Sequence, residues 1–274
     1  MIYIEPNFNL ISLNMKRCHS FLLALFLVPF CAMSQSNFQP GLIVNLKGDT
    51  VRGTIDFRDW ENSPKSILFK ADGAAEAQKF NAGHITFFSV NVGHLEAFES
   101  YVGQISTDNT DINRLSIGKD SSTRIDTIFL RVLQDGKRLK LLTYTDAQKT
   151  RFFIAENFSD RPVELTYRIY WNSQEANGTD RTTYETAFKG QLYDEAMKAS
   201  VMTPSLKTYI SKAEYRVEDI VHITSIINGI SSSDLSKNNQ SKPNPLRTAI
   251  IIIGSVGVAL WVVLDFIAVG HHGQ

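Results

Sequence analysis

Histidine, cysteine and clustered acids are the side chains that could do chemistry in this chain, so their spacing is weighed first. His84 and His94 stand ten positions apart and His222 lies far downstream. A catalytic zinc needs two ligands a few residues apart on one element, as in H-E-x-x-H, with a third close by. That spacing does not occur, so the histidines read as surface or satisfied core residues and no metal is assigned. Asp108, Asp111 and Asn113 resemble a calcium loop. The glycine such a loop needs for its bend and the closing glutamate are missing, so a solvated loop is expected there. G-x-S-x-G, the P-loop and G-x-G-x-x-G are all absent from the sequence, which leaves acyl transfer and nucleotide binding without support. The reading is a non-enzyme with no catalytic, cofactor-binding or metal residues and no cofactor. The alternative is a hydrolase built on an unfamiliar arrangement of His84, His94 and nearby carboxylates.

Aromatic side chains offer a second kind of chemistry, recognition. Trp60, Phe87, Phe88, Phe152, Phe153, Tyr167, Tyr170 and Trp171 could line a glycan or peptide groove. Neighbours such as Phe87 and Phe88 must point to opposite faces of a strand. One of each pair is therefore assigned to a core, and the other is left either exposed or covered by a helix.

These side chains have to be positioned by an exported domain. Lys16 and Arg17 precede an apolar run from Phe21 to Phe30 and a small-x-small site at Ala32-Met33-Ser34, the pattern of a secretory signal that begins at Met15 and leaves Gln35 first. Residues 1–34 are thus assigned to an upstream extension and signal peptide. The run is too short for a membrane span, which needs about 20 apolar residues. Cys31 follows Phe30 rather than a small residue, which disfavours a lipoprotein. Both cysteines, Cys18 and Cys31, fall inside the signal, so the exported part lacks thiols and disulfides and must stand on its hydrophobic core. Lysine plus arginine and aspartate plus glutamate number 28 each, and residues 35–247 are formally neutral too, because Lys16, Arg17, Glu5 and Asp265 lie outside them. No basic patch argues for nucleic acid.

Residues 35–180 read as an antiparallel β-rich domain. Gly41–Leu46 and Val51–Phe57 flank Lys47-Gly48-Asp49-Thr50, and Asp126–Leu133 and Arg138–Tyr144 flank Asp135-Gly136; both are hairpin signals. Further strands are expected at Ser66–Lys70, Ile85–Val90, Arg151–Ile154 and Val163–Trp171. Short connections favour antiparallel pairing. Residues 181–230 read as a helical part packing on the sheet, with helices over Thr183–Ser200, Ser205–Ile210 and Arg216–Ile227, although the β-branched content of Ile220–Ile227 leaves a strand open there. The Ser-, Asn-, Lys- and Pro-rich residues 231–247 read as a flexible tether.

Residues 248–270 read as one transmembrane helix, and 271–274 as a short tail. Ala249 to Gly270 would reach about 33 Å at about 1.5 Å per residue, enough for a bilayer core. Asp265 is its single charge, near one end. Lys237, Lys242 and Arg247 precede it on the exported side, against the positive-inside preference, yet the export signal commits the domain outward and makes the segment a stop-transfer. The fold class is therefore α+β: an antiparallel β-rich domain with short C-terminal helices, plus one membrane helix.

Gly41-Leu42-Ile43-Val44, Lys47-Gly48-Asp49-Thr50-Val51-Arg52-Gly53-Thr54-Ile55-Asp56 and Pro64-Lys65-Ser66-Ile67-Leu68-Phe69 resemble the opening of a group of uncharacterised Bacteroidetes envelope proteins. Phe129–Leu133, Leu141–Tyr144 and Arg151–Phe153 are similar to the group's second hairpin, and Phe188–Leu192 and Tyr215–Asn228 to its helical part, so the likeness spans roughly residues 38–230. In many relatives the domain precedes an outer-membrane β-barrel; here a single apolar segment follows. The resemblance implies a periplasm-facing domain in the cell envelope and no catalytic residues. Asp49-Thr50-Val51 and Asp126-Thr127-Ile128 also resemble the short O-glycosylation pattern of such proteins. The expected role is interaction or structure, with sheet edges and aromatics meeting an envelope protein or glycan and the C-terminal helix meeting the membrane.

Overall fold

The computed structural model describes residues 37–156, 161–172 and 182–230, and the backbone of Ile251–Ile252. The chain divides into two compact units, Met1–Asn37 and Phe38–Gln274, and only Asn37 of the first is described. The expected signal, tether and tail lie outside the described residues. So does the expected membrane helix, except for the two-residue strand at Ile251–Ile252. Among the described residues no helix is long and apolar enough to cross a membrane.

Twelve strands come first: β1 Phe38–Asn45, β2 Thr50–Asp56, β3 Ile67–Ala71, β4 Gln78–Phe80, β5 Ile85–Asn91, β6 Leu95–Ser106, β7 Thr123–Asp135, β8 Leu139–Thr145, β9 Thr150–Glu156, β10 Val163–Glu164, β11 Arg168–Trp171 and β12 Thr182–Glu185. Three short helices follow, α1 Phe188–Lys198, α2 Pro204–Lys212 and α3 Val217–Asn228. The main sheet runs in the order β10-β9-β8-β7-β6-β5-β1-β2-β3-β4, all antiparallel, and β11-β12 form a separate ribbon. Ile251–Ile252, β13, pairs in parallel with Gln134–Asp135 of β7. The α+β class and the antiparallel sheet are as the sequence implies.

The two halves of this sheet curl toward opposite faces. Only residues 81–84 join β4 to β5, although β3, β2 and β1 lie between them. Four strand spacings of ~4.8 Å make about 19 Å in a flat sheet, beyond the roughly 18 Å that five extended residue steps reach. The sheet bends to close the difference. Ile43, Ile55, Phe69, Phe88, Phe98 and Phe129 from six different strands then share one cluster, and Trp60 packs edge-on against Phe57, Phe88 and Phe98 at 5.0, 5.9 and 5.6 Å. In the other half, Tyr101 on β6 meets Phe153 on β9 with ring centroids 5.4 Å apart. Those strands are about 14 Å apart in a flat sheet, so this half also curls, enclosing Ala97, Ile105, Leu130, Val132, Leu142 and Phe153.

The helices cover the outer face of the second curl. Leu133, Leu139, Leu141, Phe152 and Ile154 of the sheet pack against Phe188, Leu192, Leu206, Ile220, Ile223 and Ile227. Both rings of the Phe152-Phe153 pair are therefore buried, one under the helices and one inside the curl. Phe88 is buried in the first cluster and Phe87 packs against the other.

Several expected boundaries are corrected. The run from Thr183 is not helical from its start: Thr182–Glu185 pairs with β11, because β-branched and aromatic residues suit a pleated ribbon, and the helix begins at Phe188. Strand structure thus continues past residue 180 to Glu185. Ile220–Ile227 is helical despite its β-branched content, because docking of one apolar face outweighs a weak propensity. Val163–Trp171 is two strands split by Leu165–Tyr167. β4 and the twelve-residue β6 are new. Gly48 supplies the left-handed turn expected of it, at φ 90°. Gly136 serves otherwise: a Cβ there would lie 2.1 Å from the Asn228 side chain, so close approach of α3 demands the glycine.

Candidate functional site

The second curl does not close into a complete barrel. Pairing of β6 with β5 ends at Glu99, so Val102 and Gln104 present an edge with no neighbouring strand among the described residues, and β10 forms the other edge. Side chains bridge the seam between them. Ser106 donates its backbone N–H to Glu164 Oε2 at 2.9 Å and its hydroxyl to Glu164 Oε1. Arg151 Nε donates to the Ser106 carbonyl at 2.8 Å. On the β10 side Gln191 of α1 takes the backbone groups: its Nε2 donates to the Glu164 carbonyl at 3.0 Å and its Oε1 accepts from Thr166 N at 2.7 Å.

A cavity of about 310 Å³ occupies this seam, lined by Tyr101, Gln104, Ser106, Thr123, Lys149 and the stretch Pro162–Glu164, Thr166–Arg168. Beneath it lies a buried set of charges. Lys149 Nζ reaches Asp108 Oδ1 at 2.7 Å, the Tyr167 carbonyl at 3.1 Å and Glu164 Oε1 at 3.9 Å. Asp108, Lys149 and Arg151 are 2, 5 and 0 % exposed. Arg151 Nη1 pairs with Asp146 at 3.0 Å, and Arg168 Nη1 with Glu185 at 2.9 Å. Asp108 Oδ2, Arg151 Nη2 and Arg168 Nε are buried without a hydrogen-bond partner among the described residues. Burial pushes the Lys149 ammonium below its ordinary range, opposed by the Asp108 carboxylate. Asp146 is desolvated as well, yet the Arg151 guanidinium holds its carboxyl below the usual range.

Neighbouring elements fix these groups. The segment before β7 is held to β11 by bonds from Gly118 N to Trp171 O and from Trp171 N to Ser116 O, at 2.8 and 2.9 Å. Lys119 adds an ion pair to Glu185 at 2.8 Å. The Tyr215 hydroxyl accepts from Phe152 N at 3.0 Å and donates to the Leu165 carbonyl at 2.8 Å, so it ties β9 to the residue after β10. The Tyr215 ring stacks on Tyr167, centroids 4.6 Å apart, and locks one cavity wall. Burial raises the Tyr215 pKa far above that of a free phenol, so the hydroxyl stays a donor.

The residues singled out by type do not converge. His84 is exposed at the start of β5, and His94 follows its far end, bonded to Glu96 Oε1 at 3.1 Å. A strand of that length separates them by roughly 20 Å. His222 packs at a tilt against Tyr209 of α2, centroids 4.5 Å apart. Asp108 lies buried against Lys149, whereas Asp111 caps a 3-10 turn by accepting from Asn113 N at 3.0 Å and pairs with Arg114 at 2.9 Å. The three calcium-loop residues therefore do not point at a common centre. Among the described residues no group of three or more His, Cys, Asp or Glu could hold a metal. Thr50 and Thr127 are exposed on strands. Of the aromatic set, Tyr167 alone lines the cavity, and Tyr101 beside it was not foreseen.

Compared with known proteins, the chain matches no family model, no curated protein and no solved structure. The fold and seam define a class, an open antiparallel β-domain with helices on one face, and the reading of its role rests on the seam itself.

Proposed function

We propose that the chain is an exported envelope protein, anchored by its C-terminal apolar segment, whose β-rich domain recognises another envelope component at the seam between β6 and β10. The observation that carries this reading is the cavity set over Lys149, Asp108, Glu164, Arg151 and Arg168. Buried ion pairs are a weak source of stability, since apolar packing of the same volume commonly does as well. Charged groups kept at a cavity, two of them, Arg151 and Arg168, with a buried donor that lacks a partner among the described residues, are better accounted for by binding. The signal-like N-terminus, the apolar C-terminal segment and the resemblance to envelope proteins support the location. The test places a photo-cross-linking amino acid at Gln104 of the full chain in a Bacteroidetes host. The expected result is a light-dependent adduct in the membrane fraction. Chain recovered from the cytosol with no adduct would overturn the proposal.

A further inference from the structure

We infer that the seam cavity binds a ring of a neutral glycan; this rests on the recognition role proposed above and names its ligand. The first argument is charge. An anion entering the cavity meets the Glu164 carboxylate, whose two oxygens are held in place by Ser106. A cation meets Arg168 and sits over Lys149. A neutral molecule rich in hydroxyls meets no like charge, and each hydroxyl can both donate and accept. It finds an acceptor in Glu164 and a donor in the Arg168 guanidinium, both of which line the cavity. The amide of Gln104 and the hydroxyls of Thr123 and Thr166 supply further polar contacts on both walls.

The second argument is shape. Tyr101 and Tyr167 line the same cavity, and both rings are held: Tyr101 donates its hydroxyl to the Gln104 carbonyl at 3.2 Å and packs on Phe153, and Tyr167 stacks on Tyr215. Fixed aromatic faces beside convergent polar groups suit the apolar C–H face and hydroxyl rim of a pyranose. The volume, about 310 Å³, lies at the lower end of the ~300–1,000 Å³ of ligand clefts, which selects a small ligand.

The third argument bars an extended peptide from adding to β10, and leaves the open β6 edge at Val102 and Gln104 to the peptide arm of the test below. Strand addition needs free backbone groups along the receiving edge. On the β10 wall the Glu164 carbonyl and Thr166 amide are already bonded to Gln191. That wall therefore presents side chains, which is how a sugar site is built.

The full chain in a sugar-free zwitterionic detergent is titrated with maltose, with N,N′-diacetylchitobiose and with an uncharged Val-Thr-Val-Thr peptide, followed by ligand-observed NMR. The expected result is saturable binding of at least one disaccharide and none of the peptide. Glu164→Gln should weaken that binding about ten-fold or more, the loss of one charge-assisted bond. Gln104→Ala, at an exposed position where folding is not at risk, should weaken it several-fold. Failure of both disaccharides at concentrations up to about 10 mM, far weaker than a useful site, overturns the inference. So does binding of the peptide alone, or of a disaccharide indifferent to both substitutions. A Gln104 adduct in the membrane fraction with no sugar binding would sink the glycan assignment and leave the recognition role standing; a cytosolic chain with no adduct would sink the role itself.

Discussion

Lys149 shows what a buried charge costs and what it organises. Its ammonium is desolvated, which lowers its pKa, and Asp108 opposes that shift, with the Tyr167 carbonyl as a second acceptor. Removing the cation would leave the Asp108 carboxylate buried with only the Arg168 guanidinium, 4.0 Å away, opposite it, a loss of about 3–5 kcal/mol. Lys149→Met should therefore lower the urea midpoint strongly, and Asp108→Asn in the same chain should restore part of it. Additive losses in that double-mutant cycle would show that the two groups do not stabilise one another. Little of this was legible in the sequence. Asp108, Lys149, Glu164 and Arg168 come from separate segments, and no local motif joins them. The one available signal was Lys149-x-Arg151 running straight into Phe152-Phe153. Two cations on one face of a strand bound for a core must find buried anions.

Among the elements, α3 is joined to the β7–β8 hairpin by side chains of opposite need. Asn228 Oδ1 accepts from Arg138 N at 3.0 Å and Leu139 N at 2.9 Å, while its Nδ2 donates to Gln134 Oε1 at 2.8 Å and the Leu139 carbonyl at 3.0 Å. Ser225 adds a bond from Gln134 Nε2 at 2.7 Å. Asn228→Ala should cost about 2–4 kcal/mol in chemical denaturation, since several buried groups lose partners together. Gly136→Ala alone should also destabilise, by clash, but should cost much less in the Asn228→Ala background, where the colliding amide is gone. Equal penalties in both backgrounds would refute close approach as the reason for the glycine. The hairpin was legible from Asp135-Gly136, but the reason for its glycine was not, because the partner lies about ninety residues on. β6 was missed for a related reason. Alternation of polar and apolar residues reports a strand with one wet face, and Leu95-Glu96-Ala97-Phe98-Glu99 has apolar side chains on both.

For the molecule as a whole, the shared strands forbid two independent domains. Residues of β5, β6 and β7 enter both curls: Phe88, Phe98 and Phe129 face one interior, and Phe87, Ala97 and Leu130 the other. Urea unfolding should therefore be one cooperative transition. Trp60 reports the first curl, once Trp171 and Trp261 are changed to phenylalanine, and far-UV circular dichroism reports the whole sheet. The two midpoints should coincide, and a Trp60 transition well separated from the loss of sheet would show that the curls unfold separately. The general class was readable from hairpin spacing and short connections. The opposed curvature was not, because it is imposed by the short β4–β5 link only after β1 has taken its place between β5 and β2.

The double-walled character of β6 also changes what an error in pairing would do. In an ordinary sheet a one-residue slip carries the apolar set into water and is rejected on that ground. Here a slip of one residue would carry Phe98 into the place of Ala97 and Glu99 into that of Phe98, or, in the other direction, Ala97 into the place of Phe98 and Glu96 into that of Ala97. Both volume and the burial of a carboxylate would discriminate against the slipped registers. Correct assembly of this strand is thus decided on both sides at once, by a void or a collision in one interior and a misplaced carboxylate in the other.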